Sequence, residues 1–462
     1  MNEFTTNVTS HYTPAASLAA LGVKLQQLRL FEPIDRLVQI AQKTVKHSPT
    51  HKLYDGFISL LAGAHGMVEV NTRLRADPSL QAAFGRSACA EQSVVQQTLD
   101  ACTSENVTQM EQAMNQIYRQ HSRAFHHDYQ QDWQVLDVDL SGWLCGKQAA
   151  FASKGYFALT QRNRRGRQLG RVLATRYQEV VVDRLFAGNR QLGGSLQELI
   201  QAAQVTLDLS EAQRAQTLVR IDAGGGSVSN FNWLLEQGYH ILGKACSAQQ
   251  SRLLAKSVKE WVTDAQLPER QIGWVTQEAL GFVRPVRRVA VRCLKPNGQW
   301  GIGVLICSLP SQAILRLIGS PLQGSEEDHA LLQAVVALYD QRGGGIETSF
   351  KGDKQGLGLT KRNKKRFEAQ QVLMLLGSLA HNVVVWAHDW LTEQDEATPV
   401  QQYGILRMVR DVFHVGGLLS FDASGKVVKI LLNQDAFLAH FILPSLCRLL
   451  LPLHVDVTLG KI

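Results

Sequence analysis

The chain has 462 residues, of which 45% are hydrophobic and 19% are charged. This balance is that of a folded globular protein, and it excludes a disordered, collagen-like or coiled-coil chain. The net charge is +8. Residues 1–130 contain eleven basic and eleven acidic side chains, so the whole basic excess lies after residue 130. A basic excess confined to one part of a chain favours a polyanionic partner such as nucleic acid.

Cysteine usage and apolar runs indicate the compartment. The seven cysteines are scattered without a CxxC pair, which is typical of reduced thiols in a cytosolic protein. The first residues lack the basic and apolar regions of a signal peptide. Residues 369–388 carry no formal charge over about the length of a membrane span, but they include several polar side chains. We therefore predict a buried core helix there, and a soluble protein that does not contact a membrane.

The first part of the chain has a helical pattern. Between residues 16 and 123, leucine, isoleucine and alanine recur at three- and four-residue spacing. Residues 87–102 have the size of a helix in a helix-turn-helix motif. No basic stripe accompanies these helices, so packing helices of an N-terminal bundle are favoured over DNA-end recognition, which stays open.

From residue 134 the pattern changes to alternating strands and helices. Residues 134–141, 180–183 and 218–222 have strand-like patterns, and a glycine-rich loop at 223–226 ends the last of them before a helix. This succession is typical of an α/β fold.

The second half of the chain contains two predicted hairpins. Residues 289–294 and 301–307 flank Asn297-Gly298, a strong hairpin signal. Helical sequence follows to about residue 392, then a hairpin at 418–432 and a leucine-rich helix. A β-rich piece is therefore predicted within an α/β chain.

Three carboxylates are candidates for chemistry. Asp139 and Asp222 lie at strand ends beside small residues, where a carboxylate can face a ligand crevice. Either one alone is equally consistent with a solvated side chain or a helix cap. Glu347 lies seven residues before Lys354, on one helical face. A surface ion pair would explain these two residues, but not the eight lysines and arginines between residues 340 and 370.

Taken in order, these motifs resemble the DDE transposases of bacterial insertion sequences, in the branch with a Tyr-Arg-Glu-Lys signature around the last carboxylate. The resemblance covers nearly the whole chain. The motifs that carry it are Leu136-Asp-Val-Asp-Leu-Ser141, Gly155-Tyr-Phe157, Ala187-Gly-Asn189, Arg220-Ile-Asp-Ala-Gly224, Ile346-Glu347, Leu379-Ala-His-Asn382 and the C-terminal hairpin. It implies an α/β fold whose RNase H-like catalytic core is interrupted by a β-rich insertion and preceded by an all-helical N-terminal domain.

The resemblance also assigns roles. Asp139 matches the first catalytic aspartate, with Asp137 as the alternative, Asp222 matches the second, and Glu347 matches the catalytic glutamate. The predicted DNA contacts are Tyr339, Arg342, Lys351, Lys354, Arg164, Arg165, Arg167, Lys361, Arg362, Lys364 and Lys365. The expected domains are the helical N-terminal domain with DNA-end binding as one interpretation (1–130), the first part of the core (131–244), the β-rich insertion (245–325), the last part of the core (326–395) and the C-terminal hairpin and helix (396–462).

One departure from the family pattern concerns the spacing before Glu347. Four residues, Gly343-Gly-Gly-Ile346, separate it from Arg342, where the family has three. Each glycine costs about 1 kcal/mol relative to alanine in a helix interior. We therefore predict that the helix carrying Glu347 begins only near Gly345 and that Tyr339 and Arg342 lie on a preceding loop.

Phosphodiester chemistry explains why carboxylates are needed. Two divalent ions about 3.5–4 Å apart activate the attacking oxygen and stabilise the leaving oxygen. Carboxylates suit Mg²⁺ or Mn²⁺, and two such ions are expected here. The resemblance implies cleavage and strand transfer of double-stranded DNA at terminal inverted repeats and target sites, by a homodimer on DNA, without a nucleotide cofactor, in the bacterial cytoplasm. Two alternatives stay open: an inactive DNA-binding relic, which the glycine insertion favours, and a hydrolytic nuclease without strand transfer.

Other residues have weaker signals. Residues 160–176 contain six arginines and no acid, and residues 361–366 are rich in lysine and arginine, so both segments favour contacts with DNA phosphates. Trp274 and Trp300 are predicted to be core residues, with stacking on an unpaired base as the alternative. His126-His127-Asp128 is interpreted as a solvated helix end rather than a metal site.

Overall fold

The computed structural model describes residues 9–43, 46–155, 157, 164–295, 297–319, 327–393 and 398–462. The chain folds into two compact units. The first unit comprises residues 1–120, 144–152 and 349–462, and the second comprises residues 121–143 and 153–348. The boundaries predicted from the sequence do not coincide with these units, because the N-terminal segment folds together with the C-terminal part of the chain.

Strands are distributed over both units. In chain order they are β1 (Thr9–Thr13), β2 (Gln134–Leu144), β3 (Ser153–Lys154), β4 (Arg165–Ala174), β5 (Glu179–Ala187), β6 (Thr217–Ile221), β7 (His240–Lys244), β8 (Val262–Thr263), β9 (Arg270–Trp274), β10 (Arg287–Leu294), β11 (Trp300–Cys307), β12 (Gly417–Phe421), β13 (Val427–Asn433) and β14 (Asp456–Gly460).

The α-helices are α1 (Ala16–Gln27), α2 (Glu32–Leu37), α3 (Pro49–Leu61), α4 (Pro78–Ala83), α5 (Gln92–Ala101), α6 (Ser104–His121), α7 (Leu196–Leu207), α8 (Glu211–Arg214), α9 (Val228–Glu236), α10 (Ala248–Ala255), α11 (Ser311–Ile318), α12 (Glu327–Arg342), α13 (Thr348–Gln355), α14 (Phe367–Thr392), α15 (Ile405–Arg407) and α16 (Phe437–Leu450). Turns of π-helix lie at Val70–Leu74, Gly343–Glu347 and Met408–Val412. Turns of 3₁₀-helix lie at Thr175–Tyr177, Leu192–Gly194, Leu359–Lys361, Pro399–Gln402 and Leu451–Leu453.

A mixed sheet forms the centre of the second unit. Its strand order is β3-β4-β2-β6-β7-β11-β10-β9-β8, and β5 pairs antiparallel with β4. The strands β2, β6 and β7 are parallel. The apolar residues of β6 are fully buried, which is typical of a strand covered on both faces.

The predicted β-rich insertion continues this sheet instead of forming a separate body. Strands β10 and β11 form the expected hairpin, with Gly298 in the left-handed region at its turn. β11 then pairs antiparallel with β7, which joins the hairpin to the parallel strands. Buried apolar side chains from β6, β7, the β10–β11 hairpin, α11 and α12 form one cluster against this part of the sheet.

The first unit contains a smaller sheet of order β1-β12-β13-β14. The predicted C-terminal hairpin is confirmed as β12 and β13. β1 pairs antiparallel with β12, so the N-terminal segment is not the all-helical, separate domain that the sequence predicts. Long-range strand pairing, which leaves no local pattern, explains this error.

Helix α14 is the core of the first unit. It is long and apolar enough to cross a membrane by length and composition, but 94% of its most apolar window is buried inside the protein. Its polar residues are buried with it, and His381 Nδ1 lies 2.7 Å from Asp353 Oδ1 of α13. The prediction of a core helix is confirmed.

The segment His126-His127-Asp128 was predicted to be a solvated helix end; it lies in a turn after α6, and His126 and Asp128 are exposed, but His127 is not. His127 is buried, its Nδ1 lies 2.7 Å from the Tyr177 hydroxyl, and its Nε2 lies 3.1 Å from the carbonyl of Asp132. Burial, reinforced by the positive charge of Arg176, lowers the pKa of His127 to about 4. The imidazole is therefore a neutral structural group. All seven cysteines are free thiols.

Candidate active site

Two of the three predicted acids lie where the pairing between the parallel strands β2 and β6 ends: Asp139 is within β2, and Asp222 directly follows β6. Val138 of β2 is paired with Ile221 of β6, and the next residues along the two strands are Asp139 and Asp222. Since the carboxyl ends of parallel strands meet at one edge, the two carboxylates share one crevice. The negative charge of Asp222 raises the pKa of Asp139, which confirms that they lie within electrostatic reach of each other.

A tight glycine loop follows Asp222. The Asp222 Oδ1 accepts a hydrogen bond from the backbone N–H of Gly224 at 2.8 Å, which fixes the carboxylate at the mouth of the loop. A Cβ at Gly226 would lie 1.8 Å from the carbonyl oxygen of Lys244, so only glycine allows the loop to pass the end of β7. Ser227 then caps α9 through the N–H of Asn230.

The third acid lies on a helix that does not break where the sequence predicts. Tyr339 and Arg342 belong to α12, and the extra residue is absorbed by the π-helical turn Gly343–Glu347. The predicted loop is wrong, because a π-turn accommodates one additional residue without ending the helix. A Cβ at Gly345 would lie 2.9 Å from Asp137 Oδ2, so glycine allows this turn to pass directly over β2.

Arg342 lies between the first and third acids. Its Nη2 donates to Asp139 Oδ2 at 2.8 Å and to the carbonyl of Val138 at 3.0 Å. Its Nη1 lies 4.0 Å from Glu347 Oε1. The guanidinium is buried, whereas the Glu347 side chain is 65% exposed. The Nε of Arg342 is buried without a hydrogen-bond partner among the described residues. This arginine therefore holds an acid but is not fully satisfied by the protein.

The electrostatics of the crevice favour cations. Burial raises the pKa of Asp139 to about 6, an effect that Arg342 opposes and Asp222 reinforces. Burial lowers the pKa of Arg342, but the charges of Asp139, Asp137 and Asp222 outweigh burial and raise it. Burial also raises the pKa of Tyr339 to about 12, so its phenol is neutral. The acids thus form a negative site in which Arg342 is the nearest cation.

The donor chemistry fits a hard divalent ion, although the ligands are not assembled. Asp139, Asp222 and Glu347 offer only carboxylate oxygens, which suit Mg²⁺ and Mn²⁺. Among the described residues, no three His, Cys, Asp or Glu side chains are close enough to hold one ion together. Glu347 is the exposed member of the set, and the contact it makes is the 4.0 Å approach to Arg342. Convergence therefore requires this side chain to turn from the guanidinium.

Asp137, the alternative to Asp139, has a different role. It is fully buried, and both of its oxygens accept hydrogen bonds from Arg220, at 2.7 and 2.8 Å. The hydroxyl of Thr175 donates to Oδ2 at 2.6 Å. With both oxygens engaged, Asp137 is a structural acid, and Asp139 is the one that faces Arg342.

The predicted DNA-contacting residues separate into two groups. The exposed or half-exposed side chains are Arg164, Arg165, Lys351, Lys354, Lys361 and Lys365. Four others, Arg167, Arg342, Arg362 and Lys364, are buried. Arg342 lies beside Asp139 with its Nε unpaired among the described residues, whereas the structure does not support a phosphate contact for the other three. Arg162 lies outside the described residues.

The buried cations have internal partners. Arg362 Nη2 donates to the carbonyl of Ala64, and burial lowers its pKa to about 10. Lys364 Nζ donates to Gln96, and burial lowers its pKa to about 8. Arg167 lies on β4, a strand that is buried from its second residue onward. The two charge runs predicted to contact DNA phosphates are thus partly a buried strand and partly a packed turn.

A cavity of about 530 Å³ in the second unit adds residues that the sequence analysis missed. Lys244, Arg252 and Lys295 are exposed cations that line it, together with Trp300 and Tyr339. They come from β7, α10, the turn of the β10–β11 hairpin, β11 and α12. Because these elements are far apart in sequence, no local motif signals the cluster.

The two tryptophans differ. Trp274 packs against the apolar core, as predicted. Trp300 is 41% exposed, so its assignment to the core is wrong. The Arg292 guanidinium lies 4.6 Å from the Trp300 ring centre and 4.0 Å from that of Trp261, a stacked arrangement that holds the Trp300 ring at the cavity rim.

Comparisons with known proteins identify the family of the chain. The sequence profile of the family described as "Transposase DDE domain group 1" matches residues 16–430, a range that includes all three acids. No curated protein is significantly similar to the chain. Among solved structures, the cryo-EM structure of a piggyBac transposase synaptic complex with hairpin DNA is similar, with a TM-score of 0.46 and 12% sequence identity, covering 88% of this chain and 80% of that chain.

Proposed function

The chain belongs to the transposase DDE domain family of group 1, and from this premise we propose that it cleaves DNA at the ends of an insertion sequence and transfers those ends to target DNA. One observation carries the proposal. Asp139 and Asp222 each follow the last paired residues of the parallel strands β2 and β6, and Arg342 bridges from Asp139 toward Glu347. Three acids far apart in sequence are thereby gathered around one buried cation.

The central sheet supports an RNase H-like assignment for the core. The order β5-β4-β2-β6-β7 places β2, β4 and β5 beside β6 and β7, which are parallel to β2, and the first two acids lie at the central pair β2 and β6. The third acid is carried by the helix that follows the β-rich continuation of the sheet. The sheet and this helix together carry the three carboxylates that the proposed chemistry needs.

Asp139, Asp222 and Glu347 would hold Mg²⁺ or Mn²⁺. Two such ions supply Lewis-acid stabilisation and an activated oxygen nucleophile when bound. The Asp139 carboxylate would be a metal ligand largely shielded from water, because its side chain is only 18% exposed. The glycine loop after Asp222 lets backbone approach the substrate, and the exposed Glu347 completes the ligand set by turning into the crevice.

Arg342 fits the role of a phosphate-orienting residue. A guanidinium presents five donors in a rigid fork, and here the Nε donor is unsatisfied within the described residues. A DNA phosphate can accept a hydrogen bond from this Nε donor, while the Nη2 donor holds Asp139. Tyr339, neutral and one helical turn earlier, can donate its hydroxyl to the same strand.

Exposed cations would bind the DNA backbone. Arg164, Arg165, Lys361 and Lys365 present positive charge on the surface. The cavity around Trp300 combines exposed lysine and arginine with an aromatic face, which suits a phosphate and an unpaired base of a DNA end. We propose that the reaction takes place in the bacterial cytoplasm and that a homodimer assembled on two DNA ends catalyses it.

The test uses duplex DNA carrying the inverted repeats that flank the coding region. With Mg²⁺ or Mn²⁺ the wild-type protein should release 3′ ends and join them to a target plasmid. Alanine at Asp139, Asp222 or Glu347 should abolish cleavage but leave DNA binding in gel shifts. Glu236→Ala, an exposed carboxylate at the end of α9, is the matched control and should cleave normally. Full cleavage by any of the three variants removes that residue from the site.

The alternatives give different products. A hydrolytic nuclease would cleave without joined products. An inactive relic would bind the ends and never cut. From sequence alone, the glycine insertion favoured an inactive relic. It no longer argues against activity, because the π-turn accommodates the extra residue.

A further inference from the structure

A buried ion pair lies directly below the two strand-borne acids. Asp137 and Arg220 are register partners on β2 and β6, each two residues before an acid, Asp139 and Asp222. Arg220 Nε and Nη2 donate to the two oxygens of Asp137 at 2.7 and 2.8 Å, in a bidentate pair. The Arg220 and Asp137 side chains are 1% and 0% exposed.

The remaining donor group of Arg220 reaches the helix of the third acid. Its Nη1 donates to the carbonyl oxygen of Leu338 at 2.6 Å, one helical turn before Arg342. The Thr175 hydroxyl donates to Asp137 on its other side. The π-turn then passes so close that a Cβ on Gly345 would lie 2.9 Å from Asp137 Oδ2. One buried pair therefore contacts both strands and the helix that carry the candidate catalytic residues.

We propose that Arg220 and Asp137 are positioning residues that hold the helix of Arg342 and Glu347 over the ends of β2 and β6. Neither contacts DNA or metal in this role. Unlike Arg342, Arg220 uses Nε, Nη1 and Nη2 on internal acceptors, which is the arrangement of a structural clamp. The inference rests on the proposed function, because the geometry held by the clamp is that of the three acids.

The same sheet contains a matched control. Arg171 of β4 and Asp183 of β5 are also register partners, and they form a buried bidentate pair at 2.8 and 2.6 Å. Their side chains are 0% and 2% exposed. The two strands that this pair joins carry neither a candidate catalytic acid nor Arg342. Both pairs are buried and charged, so damage to either tests burial and charge, and it is Arg220 that donates to the Leu338 carbonyl of the helix.

The variants are Arg220→Lys and Arg171→Lys, since lysine keeps the charge but loses the fork that bridges three acceptors. Three quantities are measured on the full chain: thermal stability, Mn²⁺ affinity by electron paramagnetic resonance without DNA, and hydrogen exchange of the amides of residues 339–347. The kinetics of DNA nicking are measured for both variants and for the wild-type protein. Asp137→Leu combined with Arg220→Met, an apolar pair of similar volume, retains a folded comparison if the lysine variant does not fold.

Both lysine variants should lose thermal stability. Arg220→Lys alone should weaken Mn²⁺ binding about 10- to 100-fold, lower kcat by a similar factor with little change in KM for DNA, and accelerate exchange of residues 339–347. Equal effects of the two variants on Mn²⁺ affinity and on that exchange would overturn the positioning role. If the wild-type protein itself neither binds Mn²⁺ nor nicks DNA, the proposed function fails, and the inference fails with it.

Discussion

The three glycines of the π-turn offer a sharp test of how the catalytic helix is seated. A Cβ at Gly343 or Gly344 meets nothing within 4 Å, whereas at Gly345 it meets Thr175 Cγ2 at 2.8 Å and Asp137 Oδ2 at 2.9 Å. Their backbone φ angles are negative, so alanine is compatible with the local conformation at each position. The substitutions therefore differ only in what the added methyl group meets.

The magnitudes follow from helix propensity and packing. Gly344→Ala should stabilise the protein by up to about 1 kcal/mol, because alanine loses less backbone entropy in a helix. At Gly345 the same gain is opposed by overpacking against a buried ion pair, which costs about 1–3 kcal/mol. For a unit of this size 1 kcal/mol shifts Tm by about 2–4 °C, so the two variants should melt several degrees apart, in opposite directions.

Differential scanning calorimetry of the full chain measures this difference. Gly343→Ala is the second control, and it should behave like Gly344→Ala. If Gly345→Ala is as stable as Gly344→Ala, the close seating of the π-turn on Asp137 is refuted. Gly345→Ala should also reduce cleavage, because relief of the contact moves Glu347 and Arg342 away from the strand ends.

Three further outcomes are expected. The free energy of unfolding should fall by at most about 3 kcal/mol as the pH drops from 6.5 to about 4, because the unfolded chain then protonates His127 while the folded protein keeps it neutral. Urea titrations of the wild-type protein and of His127→Gln at several pH values check this. A variant with the same pH dependence as the wild type would contradict it. In a plot of log affinity for DNA against log salt concentration, Arg165→Gln should make the slope shallower by about 0.9, because the exposed Arg165 contacts a phosphate. Arg362→Gln should lower Tm instead, because Arg362 is buried. Equal slopes for the wild type and Arg165→Gln would refute the phosphate contact of Arg165. Chelation with EDTA should stop cleavage and spare gel-shift binding, and cleavage that persists in EDTA would contradict the metal assignment.

Local pattern predicted much of the fold. Alternation at 134–141 and 218–222 corresponds to β2 and β6, and Asn297-Gly298 lies at the turn of the predicted hairpin. The uncharged run at 369–388 lies within the buried helix α14. These features depend on periodicity and turn chemistry, which a few neighbouring residues determine.

Other features depend on partners far along the chain. Helix propensity predicted a break at Gly343, but the turn is held over β2 by Asp137, Thr175 and Arg220. Charge counting predicted that Arg362 and Lys364 contact DNA phosphates, yet tertiary packing buries both side chains. Propensity is a weak prior, and packing overrides it where enough contacts favour another conformation.

The amino-acid sequence by itself determined where β2 and β6 lie, that Asp139 and Asp222 belong to or follow them, and in what order the three acids occur. Only the tertiary structure decided that Arg342 lies between Asp139 and Glu347, that Asp137 is a structural partner of Arg220, and that cations from distant elements surround Trp300. The physical reason is that a strand or turn forms from interactions between near neighbours. A charged side chain, in contrast, is placed by the partners and the burial that the folded chain brings to it.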